Sequence, residues 1–293
     1  MRILLLGKVG QLGWELRRCL ASLGNVSAFD YPEIDFRQAE SLKQIVELTQ
    51  PQVIVNAAAF TAVDQAETRR ADATAINVTG PAILAEAARL VGAALVHYST
   101  DYVYDGEKTS PYVEADPPRP LNAYGQTKLD GDLAIQAAGG AYLILRTSWV
   151  YSTRQGGFVN KVLQWSREQQ TMRVVTDQIS CPTWARTLAE VTAQLLAKAG
   201  PSPREWIQER RGVYHLAGDG YASRLEWTQA ILECDPHPEQ QVVRQVLPAL
   251  TADFPTPAKR PLFTALDCSR FYQTFQLYLP PWKEALYLAM QAG

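Results

Sequence analysis

Ile3-Leu4-Leu5-Leu6 runs without a polar residue into Gly7-Lys8-Val9-Gly10-Gln11-Leu12-Gly13, and Leu16 and Leu20 then follow Leu12 at helical spacing. A short apolar run ended by glycine and continued by an i, i+4, i+8 stripe is a strand, a turn and a helix. In that context each glycine of G-x-x-G-x-x-G has a task. The first permits a tight turn, the second lets a pyrophosphate approach the backbone, and the third lets helix and strand pack closely. The free N–H groups and partial positive charge at the helix start favour phosphate there.

The same alternation continues outward from this unit. Val26–Asp30 reads as a second strand, and Ala39, Leu42, Ile45 and Val46 mark a helix that stops before Pro51. Val53–Val55 is a third strand, a long Ala-rich helical stretch runs to about Leu90, and Ala94–Tyr98 and Tyr142–Arg146 supply two more strands. Apolar strands separated by helices pair in parallel through right-handed crossovers, with helices on both faces. The expected fold is therefore α/β, a doubly wound (Rossmann-type) parallel sheet. Residues 1–150 read as a dinucleotide-binding domain. Residues 151–293 are broken by prolines into a smaller, mainly substrate-binding region, with helices over 183–199, 224–233 and 282–290. The boundary is soft, and later segments are free to return to the first domain.

Composition excludes several classes of function. The 293 residues carry 28 Lys+Arg against 30 Asp+Glu, a net charge of -2, so no basic excess draws nucleic acid or an anionic membrane. Neither partner is expected. The hydrophobic share of 47% and charged share of 20% are those of a globular protein. Cys19, Cys181, Cys234 and Cys268 lie far apart without C-x-x-C spacing, which speaks for reduced thiols in the cytoplasm and against a zinc site. The apolar run from Ile3 to Leu6 is too short for a secretory signal.

Asp30, at the end of the second strand, is placed to accept hydrogen bonds from the ribose hydroxyls of NADH, whereas Lys8 inside the loop would attract the 2′-phosphate of NADPH. The choice between NADPH and NADH stays open. Further along, Tyr124 and Lys128 stand four residues apart on one helix face. A neighbouring ammonium would lower the phenol pKa and make Tyr124 a usable proton donor. Thr100 follows the fourth strand at the carboxyl edge of the sheet, where it would hydrogen-bond a substrate oxygen beside Tyr124. Y-x-x-x-K by itself commonly marks a solvated helix. Its weight here comes from the glycine loop and Thr100.

The run Gly7–Leu16, Val55-Asn56-Ala57-Ala58-Ala59, His97-Tyr98-Ser99-Thr100-Asp101-Tyr102-Val103, Arg146–Tyr151 and Pro255–Pro261 together resemble the dTDP-4-dehydrorhamnose reductases, extended short-chain dehydrogenases, over nearly the whole chain. The resemblance implies NAD(P)H-dependent reduction of the C4 ketone of dTDP-6-deoxy-L-lyxo-4-hexulose to dTDP-L-rhamnose. It implies cofactor contacts at Gly10, Gln11, Leu12, Asp30, Asp35, Phe36, Ala59, Phe60, Thr61, Tyr98, Tyr124 and Lys128, and sugar contacts at Thr100, Asp101 and Trp149.

Trp149 offers a flat face to a sugar ring, and Arg260 could pair with the nucleotide diphosphate; the plainer readings are a core tryptophan and a surface arginine. Phe60 stands where relatives often have histidine. Some relatives form a dimer bridged by a divalent metal on carboxylates that include Glu15. The second acid's position is here Arg186, which argues against bound Mg, while a homodimer stays open. Two alternatives remain beside the reductase: a sugar-nucleotide epimerase or dehydratase, and a non-catalytic cofactor-binding regulatory subunit. Tyr102, where an acid would drive elimination, disfavours a dehydratase.

Overall fold

The computed structural model describes residues 1–154 and 156–291. Its principal strands are β1 (Arg2–Leu6), β2 (Asn25–Phe29), β3 (Val53–Asn56), β4 (Ala94–Thr100), β5 (Ala141–Thr147) and β6 (Gly212–His215). They form one six-stranded parallel sheet in the order β6-β5-β4-β3-β1-β2. The main helices are α1 (Gln11–Cys19), α2 (Ala39–Thr49), α3 (Gly80–Val91), α4 (Ala123–Ala138), α5 (Gly157–Glu168), α6 (Ala185–Ala199), α7 (Arg224–Glu233) and α8 (Trp282–Gln291).

The unbroken apolar run of β1 follows from burial on both faces. Ile3 and Leu5 join Leu16 of α1, Leu20 just beyond its end and Leu188 and Leu195 of α6, whereas Leu4 and Leu6 join Leu42, Val46, Leu84 and Ile135 on the opposite side. Period-two alternation carries no polar signal when neither face meets water. From β1 the chain steps to β2 on one side, then returns to β3 on the other. The loops after β1 and β3 therefore diverge around a crevice at the carboxyl edge, the usual ligand position in such sheets.

Two differences from the sequence reading have physical causes. The Ala-rich stretch is not one helix: a π-helical turn at Ala75–Thr79 precedes α3, and Pro81 occupies the first turn of α3, where a missing N–H costs nothing. Past residue 150, the chain does not stay apart from the sheet. β6 pairs with β5, Gly212 opposite Leu143. α6 packs on the sheet as well, while other C-terminal segments enclose their own apolar cluster around Tyr151, Val159, Trp184, Trp227 and Leu286. No helix among the described residues is long and apolar enough to cross a membrane.

Candidate active site

Gly7 turns the chain with φ +87°, and a Cβ on Gly13 would stand 1.8 Å from the Gly7 carbonyl oxygen, so α1 and the turn touch backbone to backbone. Gly10 is different. The nearest protein atom to a Cβ there would be 3.5 Å away, so the missing side chain leaves open cleft rather than relieving a clash. Gly10 also caps α1 without a side-chain hydrogen bond, and no acid stands in the first helical turn. A cradle a side chain would fill, beside uncapped N–H groups, fits a dinucleotide pyrophosphate.

Around this loop the charges are already paired. The Asp30 carboxylate accepts N–H bonds from Val9 at 2.9 Å and Tyr31 at 2.8 Å. Lys8 reaches Glu33, and Arg37 grips Asp35 through two nitrogens. Glu33 and Asp35 are consequently held below the usual carboxylate range, each chiefly by the hydrogen bond from its basic partner. A cavity of about 530 Å³ here is lined by Gly7, Asp30, Asp35, Phe36, Ala59 and Phe60.

A second cavity of about 340 Å³ continues the cleft. It is lined by Gly10, Gln11, Leu12, Gly13, Ala59, Thr61, Tyr98, Thr100, Asp101, Tyr124, Lys128 and Trp149. Gly10, Ala57 and Ala59 line both cavities, so the two make one continuous groove across the sheet edge. Asn122 caps α4, its side-chain oxygen accepting the Gly125 N–H at 2.8 Å, and so fixes Tyr124 in the first helical turn.

Lys128 is buried and does not act on Tyr124 in the expected way. Its Nζ donates to the Tyr98 carbonyl at 2.7 Å and lies 3.1 Å from His97 Nε2. Burial lowers the Lys128 pKa to about 8. Burial likewise raises the Tyr124 phenol well above its ordinary value, a Thr100 hydrogen bond opposing this only in part. Desolvation thus outweighs any ammonium effect, correcting the expectation of a lowered phenol. The outcome is a firmly protonated Tyr124.

Other expected residues are placed differently from their anticipated contacts. The Tyr98 hydroxyl bonds Thr192 at 2.7 Å, leaving its main chain to serve Lys128. Asp101 is buried and accepts bonds from the hydroxyls of Thr100, Ser180 and Thr264, an arrangement that ties the end of β4 to the C-terminal segments. Burial still lifts its pKa to about 6. Arg260 lines neither cavity; its guanidinium pairs with Asp64 at 2.7 Å, because Asp64 also accepts the Ala258 N–H and draws the proline-rich loop onto the short helix Val63–Ala66. Trp149 holds a backbone φ of +39°, sparsely allowed for a bulky residue, where such strain marks an over-determined site.

The comparisons agree with this geometry. The family model described as the RmlD substrate binding domain matches residues 1–292. A dTDP-4-dehydrorhamnose reductase of Burkholderia thailandensis is 41% identical, covering 99% of this chain and 98% of its own. This chain belongs to the dTDP-4-dehydrorhamnose reductase family. The Escherichia coli enzyme of that name is 40% identical, over 97% of this chain and 95% of its own. A Bacillus anthracis dTDP-4-dehydrorhamnose reductase, solved in complex with NADP, superposes with a TM-score of 0.90 at 31% identity, covering 100% of this chain and 99% of that one. UDP-glucose 4-epimerase of Thermus thermophilus, 20% identical with a TM-score of 0.79 over 99% of this chain and 98% of its own, shares the fold.

Three residues that contact the lining of the groove escaped the sequence reading. Asn77, in the π-helical turn, is buried and clamps the Phe60 backbone, accepting its N–H at 2.8 Å and donating to its carbonyl at 3.2 Å. His97 is buried between Asn56 and Lys128, and burial lowers its pKa so that it stays neutral. Arg224 lays its guanidinium carbon 3.6 Å from the Trp149 ring centroid. Only the π-turn hints at itself in sequence, through the Gly80-Pro81 pair that restarts the helix. Among the described residues, no group of three or more His, Cys, Asp or Glu is placed to hold a metal. Arg186 pairs with Glu190 at 3.0 Å.

Proposed function

We propose that this protein reduces the C4 ketone of dTDP-6-deoxy-L-lyxo-4-hexulose to dTDP-L-rhamnose with NAD(P)H, Tyr124 donating the proton. The observation that carries the reading is a phenol kept protonated by burial, facing Thr100, in the groove that begins at the glycine loop. The nicotinamide, when bound, supplies hydride to the carbonyl carbon. Thr100 and Tyr124 orient the carbonyl oxygen, and Tyr124 transfers its proton as negative charge develops there. Gly7, Gly10, Gln11, Leu12 and Gly13 hold the pyrophosphate, Asp30, Asp35 and Phe36 the adenosine half, and Ala59, Phe60, Thr61, Tyr98 and Lys128 the nicotinamide side.

Asp101 fixes the substrate wall, and Trp149, which lines the groove, meets the sugar. Free thiols and family membership support a cytoplasmic setting. A dimer, if formed, would be assembled without an acid at position 186. The deciding assay mixes purified protein with the 4-keto sugar nucleotide and NADPH or NADH and follows the nicotinamide absorbance. Loss of absorbance with the keto sugar, and none with the corresponding 4-hydroxy sugar, is the expected outcome. No loss with either cofactor would refute the reading.

A further inference from the structure

Three of the arginines drawn off the surface have acidic partners. Arg146 pairs with Asp132, Arg167 with Asp235 and Arg260 with Asp64. Arg224 does not. Among the described residues, no carboxylate lies within 4 Å of its guanidinium, and its side chain makes no hydrogen bond. It rests instead among aromatic rings, 3.6 Å from the centroid of Trp149, 4.6 Å from Phe158 and 5.3 Å from Trp227.

Its position is fixed rather than wandering. Ser223 and Glu226 form a reciprocal capping box at the start of α7, and the Arg224 N–H donates to the Gln178 carbonyl at 3.1 Å. The Ala222–Ser223 strand pairs with Ile179–Ser180, and Ser180 in turn bonds Asp101 at 3.0 Å. Arg224 is thus built into the wall that carries Trp149. Burial lowers its pKa to about 10, with Arg260 adding to this and Tyr102 and Asp101 opposing it. It keeps its charge at neutral pH, and Asp101, the acid that acts on it through space, already has its oxygens occupied by hydroxyls.

A half-buried guanidinium whose donors have no protein partner and no counter-ion is a ready site for an anion. The planar donor fork matches phosphate oxygens bidentately, and stacking on Trp149 holds the plane ready. We propose that Arg224, and not Arg260, is the principal ligand of the substrate's diphosphate, stacked on Trp149, which itself lines the catalytic groove. The inference rests on the nucleotide-sugar reading above. The cofactor's pyrophosphate, the other source of the same chemistry, belongs at the glycine loop at the far side of the groove.

The test is calorimetric titration of the full-length protein with dTDP, thymidine and NADPH, for wild type, Arg224→Met and Arg224→Lys. Methionine keeps an apolar stem between the rings and removes the charge. Loss of one charge-assisted bidentate contact predicts dTDP binding about 10- to 100-fold weaker in Arg224→Met and partly restored in Arg224→Lys. Thymidine and NADPH binding should stay within about twofold, the latter also reporting an intact fold. Unchanged dTDP affinity in Arg224→Met, or an equal loss for thymidine, would overturn the assignment. A wild-type protein that binds no dTDP would instead overturn the nucleotide-sugar reading beneath it.

Discussion

The two ends of the groove are built by opposite means. At the glycine-loop end close backbone packing shapes the cleft, and the nearby charges, Lys8 with Glu33 and Arg37 with Asp35, are paired with one another at the surface. At the reacting end Tyr124, Lys128, His97 and Asp101 are enclosed, and their proton affinities are set by burial. The first end should be more sensitive to loss of a glycine than to change of a side chain. The second depends on individual side chains, because a buried polar group without its partner is costly.

The sharpest break of that contrast is Tyr124→Phe. Without a general acid, turnover should fall about 10²- to 10⁴-fold while NADPH affinity, measured by titration, is retained. Parallel loss of both would move Tyr124 from chemistry to binding. Next comes Gly13→Ala at the other end, where the added carbon would meet the Gly7 carbonyl oxygen. Thermal and urea unfolding should show a loss of about 3 kcal/mol or more, with weakened cofactor binding. A stable variant with normal affinity would mean the backbone contact is dispensable.

The pH profile probes the enclosed end. Lys128 carries an ammonium below its pKa of about 8 and loses it above, whereas Tyr124, raised by burial, stays protonated across the working range. Accordingly kcat/KM should be flat near neutrality and fall about tenfold per unit as pH climbs past Lys128's titration. A profile flat to pH 10 contradicts it. The smallest effect is expected for Asp30→Ala. The ratio of kcat/KM for NADH to that for NADPH should drop about tenfold, as a ribose acceptor is lost and the 2′-phosphate less repelled. If the ratio does not move, Asp30 serves only the Val9 and Tyr31 N–H groups it already accepts.

Legibility follows the same division. The glycine loop, the apolar strands and the Y-x-x-x-K helix are local patterns, and their elements stand close to where the periodicity put them. Arg260 was named as a ligand contact, yet it pairs with Asp64, and Asp101, which does line the cleft, also ties β4 to Ser180 and Thr264. Those partners lie at least 79 residues away in the chain, beyond any spacing rule. Arg224 had no motif to announce it, since its meaning lies in Trp149 and Phe158 brought beside it by the C-terminal packing.

The sequence by itself determined the doubly wound sheet, the phosphate-binding turn and the candidate proton donor, since each rests on spacing within one or two consecutive elements. Only the tertiary structure decided which charges are neutralised, which phenol stays protonated and which arginine is left without an acidic partner beside Trp149. Those outcomes depend on desolvation and on partners distant in the chain, and neither is encoded in local order.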